Sequence, residues 1–216
     1  MVQLFIEAKK RETSECVFLE TLIRKFVPDA MPFRIIPVDG WTNLCQMANV
    51  MTMQVNQNVG GKNLVIFDAD SPDHGGGYEE RLKDIKARLT SNGLQADLFL
   101  WPDNWSDGTV EDLMLSIARK DLHPVFFDCF EDYEKCIAGV SEEDGTPKYH
   151  CPDLKSKVFT YISSMPMSNA QRKHLGGGNW LFDNPDFWDL ESGKLGAIAG
   201  FLRDGMEDKD REKITT

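Results

Sequence analysis

Apolar positions recur along this chain with two alternating periods, and the order in which the periods follow one another predicts the elements. Val2 to Ile6 reads as a strand that ends at Glu7. Val17, Phe18, Leu22, Ile23 and Phe26 then recur at helical spacing behind a Thr13 or Ser14 cap. Glu15 stands in the favourable first turn, and Pro28 and Pro32 close the helix. Phe33 to Val38 is a second strand with Asp39-Gly40 as its turn. Leu44, Met47, Ala48, Met51 and Val55 mark a second amphipathic helix, closed by Gly60-Gly61. Asn63-Leu64-Val65-Ile66-Phe67 is an almost unbroken apolar run with a β-branched pair, which predicts a strand buried on both faces. It stops at Asp68-Ala69-Asp70. Tyr78 to Asn92 is a helix with Leu82, Ile85 and Leu89 inward, stopped by Asn92-Gly93. Ala96 to Trp101 is a fourth strand, and Gly108-Thr109 opens a helix bearing Glu111, Asp112 and inward Leu113, Leu115 and Ile117.

Four strand–helix alternations over residues 1–120 predict an α/β fold: a parallel sheet of about four strands with helices on both faces. The pattern loosens over 121–203, where Phe126 to Ile137 and Lys155 to Met165 look helical around a surface loop from Ser141 to Pro152. Leu175 to Trp180 is a glycine-rich flexible segment, and Leu195 to Leu202 a last helix that docks on the domain. This predicts a mainly helical C-terminal extension, followed by a frayed, charged tail over 204–216.

Composition changes the picture in two places. With 24 basic against 35 acidic side chains the net charge is −11, so a general electrostatic field would repel phosphates rather than gather them. Any contact with nucleic acid then needs metal ions and a local basic patch. Cys16, Cys45, Cys129, Cys136 and Cys151 are odd in number and form no Cys-x-x-Cys pair, which argues against a disulfide framework or a zinc site. With no signal-peptide segment and no apolar run long enough for a bilayer, a soluble cytoplasmic protein is expected.

The candidate chemistry lies at strand ends. Glu7 follows the first strand, Asp68 and Asp70 the third, and Asp103 the fourth, while Glu111 begins the next helix. A parallel sheet opens all these ends at one edge, where ligands of such folds sit. Asp68 and Asp70, one residue apart, can point to the same side and hold a hard divalent cation. Each residue also has a plainer reading. Asp68 and Asp70 can cap a turn and a helix, and Glu111 can simply favour a helix N-terminus. Lys9-Lys10-Arg11 can be a solvated charge run, and His74 an exposed loop histidine rather than a general acid–base group. Trp180 and Trp188 are expected to pin the C-terminal segment to the core.

The order of these acids resembles the Toprim domain, the catalytic fold of topoisomerases, primases and OLD-type nucleases. Ile6-Glu7-Ala8 is similar to that family's opening motif, with alanine in place of its glycine. Glu15-Cys16-Val17-Phe18-Leu19-Glu20 looks like the acidic helix start, displaced by an insertion around Lys9 to Thr13. Phe67-Asp68-Ala69-Asp70 matches the acidic pair. Phe99 to Asn104, Gly108 to Leu113 and Trp180 to Leu202 resemble a Toprim-related bacterial family of unknown function, so the likeness covers most of the chain. It implies a Toprim-like (Rossmann-like) core with Glu7, Asp68 and Asp70 as catalytic metal ligands. Glu15 and Glu111 would complete a second metal position or stand just outside it. The cation would be Mg2+ or Mn2+, and Lys9, Lys10, Arg11 and Lys62 would neutralise the phosphate. The implied function is metal-dependent phosphotransfer or phosphodiester hydrolysis on nucleic acid, a nuclease or phosphohydrolase. A partner protein could supply a basic surface or an ATPase. The alternative is a non-catalytic module of the same shape that binds a nucleotide or a protein. A haloacid-dehalogenase-type reading of Asp68-Ala69-Asp70 places the motif on the wrong strand and lacks the later lysine and acids.

Overall fold

The computed structural model describes residues 1–207. Residues 208–216 and the His74 side chain lie outside the described residues, so the readings of His74 and of the tail beyond 207 stand unaddressed. Four strands, β1 (Val2–Ile6), β2 (Phe33–Pro37), β3 (Lys62–Asp68) and β4 (Asp97–Trp101), form one all-parallel sheet in the order β2-β1-β3-β4. Between and after them run α1 (Ser14–Phe26), α2 (Met47–Asn58), α3 (Tyr78–Ser91), α4 (Val110–Ile117), α5 (Pro124–Ala138), α6 (Leu154–Ser164), α7 (Asn169–Leu175) and α8 (Gly196–Met206). The α/β architecture expected from the alternation is therefore present, Rossmann-like and with helices on both faces.

Period-two alternation along the strands divides the core into two layers. Leu4, Ile6, Leu64, Ile66, Phe99 and Trp101 face α1, α4, α6 and α8, whereas Phe5, Val65, Phe67 and Leu100 face α2 and α3. β1 is buried throughout, and β3 from Asn63 to Phe67, as a strand covered on both sides must be.

The C-terminal extension shares the first of these layers. Phe18 of α1 stacks on Phe182 at 4.8 Å between ring centres, Phe182 on Trp188 at 5.2 Å, and Trp188 meets Tyr161 edge-on at 5.5 Å. Each polar tip finds a carbonyl: the Tyr161 hydroxyl donates to Phe187 (2.8 Å), Trp188 Nε1 to Trp180 (2.9 Å) and Trp180 Nε1 to Leu175 (3.2 Å). The two tryptophans pin the segment as expected.

Three elements differ from the sequence reading. In α2 the apolar stripe Met47, Met51 and Val55 faces outward, and the inward positions are Met53 and Asn56. Asn56 is drawn in because its amide donates to the Lys62 carbonyl (2.9 Å) and to Asn63 Oδ1 (3.0 Å), tying the helix to the start of β3. Helix α7 was not foreseen, although Ser168 and Gln171 form its capping box. Helix α8 runs on to Met206, so the part of the tail up to there is helical.

If the aromatic seam holds the extension to the sheet, Trp188→Ala should lose about 3–5 kcal/mol of unfolding free energy in urea melts. Trp105→Ala, at a side chain 73% exposed, should stay within about 0.5 kcal/mol of wild type.

A carboxylate cluster at the carboxyl edge of the sheet

Strand alternation carries Asp68 to the same face as Ile66 and Leu64, toward α1 and α4. There it meets Glu15 from the first turn of α1 and Glu111 from the first turn of α4, with Glu7 at the end of β1 completing the group. The four acids come from four separate segments, and their charges raise the pKa values of Glu15 and Asp68. Burial is the larger cause in every case. It pushes Glu15 up to about 8, with Glu7 and Glu111 adding to the shift. Asp68 is raised well above the ordinary range by burial and then by Glu15, Glu111 and Glu7. Glu7 and Glu111 are raised by burial as well.

The charges are only partly answered. Glu7 accepts from the backbone N–H of Trp41 (3.2 Å) and of Asp68 (3.4 Å). Asp68 Oδ1 accepts from Val110 N–H, the first residue of α4, at 2.8 Å, so the capping role considered for Asp68 coexists with its place in the cluster. The Trp101 indole lies beside Glu15 and eases its charge. Even so, Glu15 Oε1 and Trp101 Nε1 are both buried without a hydrogen bond of good geometry. Lys155 of α6 acts on Glu15 and Glu111 from the extension, lowering both pKa values against the effect of burial. Lining the same cavity as Lys155, Gly178 lays its backbone on the Thr13–Ser14 peptide: an added Cβ would sit 2.3 Å from the Thr13 carbonyl carbon.

Asp70 takes a different direction from Asp68. Its backbone exchanges two 2.8 Å hydrogen bonds with Gly108, its φ is +59°, and its side chain pairs with Arg81 of α3 while its charge still adds to the raised pKa of Glu7. Arg81 is buried, ion-paired with Asp70 and stacked on Trp41 at 4.2 Å. Asp68 and Asp70 thus take different partners, Val110 and Arg81, because alternation ends where the positive φ begins, and both act on Glu7 or feel its charge. Gly76 makes the turn possible, since a Cβ there would strike Asp70 Cβ at 2.5 Å.

The remaining candidates separate. Asp103 accepts from the N–H groups of Trp105 and Ser106 and from the Ser106 hydroxyl, which spends it on its own turn. Lys62 begins β3, a strand's length or about 20 Å from Asp68, and its amine donates to the Asp204 carbonyl at 3.3 Å. It cannot serve a phosphate at the cluster. Lys9 and Lys10 are exposed in the loop after β1, and Arg11 pairs with Glu20. Lys155, Arg81 and Trp101 were missed. No motif flags a lysine on a distant helix, whereas Arg81 offered one signal: a lone arginine between the inward Tyr78 and Ile85.

Among the described residues no three Asp, Glu, His or Cys side chains are grouped closely enough to hold a metal ion as they stand. The donors nevertheless suit a hard cation: all are carboxylate oxygens, one is buried without a partner, and burial holds all four pKa values up, helped for Glu15 and Asp68 by the neighbouring acids. No family model, curated protein or solved structure matches the chain.

Asparagine at 68 keeps an acceptor for Val110 and removes a charge, so Asp68→Asn should melt at or above the wild-type temperature in chelator, while Asp68→Ala should lose about 1 kcal/mol. Glu15 has a folded pKa of about 8 against an ordinary 4.5 and so binds its proton more tightly in the folded state. Stability in chelator should therefore fall as pH rises through that window. Glu15→Gln should flatten the fall, gaining roughly 2–4 °C in melting temperature at pH 8 for each kcal/mol of penalty removed.

Proposed function

We propose that this chain is a metal-dependent phosphodiesterase of Toprim type acting on nucleic acid. The observation that carries the reading is the convergence of Glu7, Glu15, Asp68 and Glu111 from four segments, with Glu15 Oε1 buried and unpartnered among them. Burying like charges is unfavourable unless a cation answers them, and the ring of hard oxygens suits Mg2+ or Mn2+. Bound there, such an ion supplies polarisation of a phosphoryl oxygen and a water of lowered pKa.

The chain's own groups position and shield. Two backbone N–H groups orient Glu7, and Val110 N–H orients Asp68, so neither carboxylate must reorganise to meet a ligand. Trp101, fully buried, excludes water from below. Lys155 offers the developing negative charge on a leaving oxygen a cation in place of Lys62. Lys9 and Lys10 guide a phosphate backbone past an otherwise acidic surface. Asp70 locks Arg81 and hence α3 to this edge as a positioning residue. A partner protein bringing a basic surface or an ATPase would complement the net charge.

The second reading, a binding module without catalysis, is favoured by the Asp70–Arg81 pair and the Asp68–Val110 bond, which give two of the acids structural work.

Cleavage of linear or nicked DNA, RNA or small phosphoesters should appear with Mg2+ or Mn2+ and vanish in chelator. Glu7→Gln and Asp68→Asn should each lose more than the roughly 10–100-fold typical of outer-shell partners. Lys155→Ala should lose about 100-fold in kcat with cation binding by calorimetry unchanged. Cation binding without cleavage of any of these would select the binding module; neither binding nor cleavage would remove the metal reading altogether.

A further inference from the structure

From Gly40 to Gly61 the chain carries no charged side chain, its longest such run, although the whole molecule has a net charge of −11. That run contains α2, and the helix turns its apolar residues outward. Met47 is 78% exposed, Met51 58% and Val55 63%, and Val59 just beyond the helix is 77% exposed. The inward positions are filled by Met53 and Asn56, so nothing in the described residues covers the stripe. We propose that this face of α2 is a self-association surface, on which a second copy of the same chain docks through its own α2.

Two observations select a second copy as the occupant. The first is charge. Two bodies of −11 repel wherever their surfaces carry acids, and they approach at least cost through a helix that has none. A basic partner would instead be drawn to the acidic surfaces and would gain nothing from a neutral stripe. The second is spacing. Residues 47, 51, 55 and 59 follow one another four apart, which makes them a single ridge of the i±4n kind. Two identical ridges of that kind interdigitate when their helices cross at about −50°, the commonest crossing between helices. A two-fold axis through the crossing presents the same residues from both copies, as an isologous contact requires. Exposed Gln54 and Asn58 flank the ridge with neutral amides, which can pair across the axis without bringing charge. Helix α2 packs on the Phe5, Val65 and Phe67 side of the sheet, while Asp68, Glu15, Glu111 and Lys155 belong to the other side. The pairing therefore leaves the carboxylate cluster open, and the inference stands whether or not that cluster is catalytic.

Sedimentation equilibrium of the full chain over roughly 1–200 μM tests this directly. Wild type should populate a dimer, and its dissociation constant should fall as salt is raised from 50 to about 500 mM, because screening relieves repulsion between like-charged copies. Met51→Lys and Val55→Lys should each raise that constant by about tenfold or more. Both positions are exposed, so each variant should keep the wild-type circular dichroism and melting temperature. A conservative Met51→Leu should dimerise like wild type. A wild-type chain that remains monomeric across the range overturns the proposal. So does a dimer that Met51→Lys and Val55→Lys, folded as wild type, leave intact, since the contact then lies elsewhere.

Discussion

Like charges held in a poorly hydrated corner set the conditions for the whole carboxyl edge of this sheet. The strand β3 cannot present Asp68 anywhere else, because Leu64 and Ile66 are committed to the layer shared with α1 and α4, and alternation carries the next acid to the same side. Glu15 and Glu111 sit in the first turns of those two helices, where an acid is locally favourable. Each placement is sound by itself, and only their sum is costly. The fold tolerates that sum by meeting it with backbone N–H groups, one indole and one lysine, and by leaving at least part of the acidity protonated near neutral pH.

The opposite layer handles charge differently. Arg81 is buried there with a carboxylate partner and an aromatic face, and Arg88 also lies over the Trp41 ring at 4.8 Å. Weakly hydrated guanidinium groups lose less than an ammonium would on leaving water. Two neighbouring acids thus take different partners, Asp68 the Val110 N–H and Asp70 the Arg81 guanidinium, where the positive φ of Asp70 and the glycine turn packed against it end the strand alternation.

Much of this was legible in the residues. Strand and helix order follows from apolar periodicity, and Glu7, Asp68 and Glu111 could be brought to one edge by the rule that parallel strands open together. The divergence of Asp70 was hidden because period two says nothing once the chain leaves the strand. The outward turn of α2 was hidden for a related reason: its inward anchor is an asparagine, and a pattern built on apolar residues passes over a polar side chain that is buried for its hydrogen bonds. Lys155 lay beyond reach because it acts on acids 44 and 140 positions earlier in the chain, and a charge at that distance leaves no local trace.

The close passage of Gly178 over the Thr13–Ser14 peptide carries a consequence for the order in which the molecule is made. The sheet is complete in sequence once Trp101 has been synthesised, and every acid of the cluster is in place by Glu111. Yet Lys155 and the glycine segment that seats the extension come later still. Synthesis therefore lays down the acids before the lysine that eases Glu15 and Glu111 and before the glycine that packs on Thr13 and Ser14.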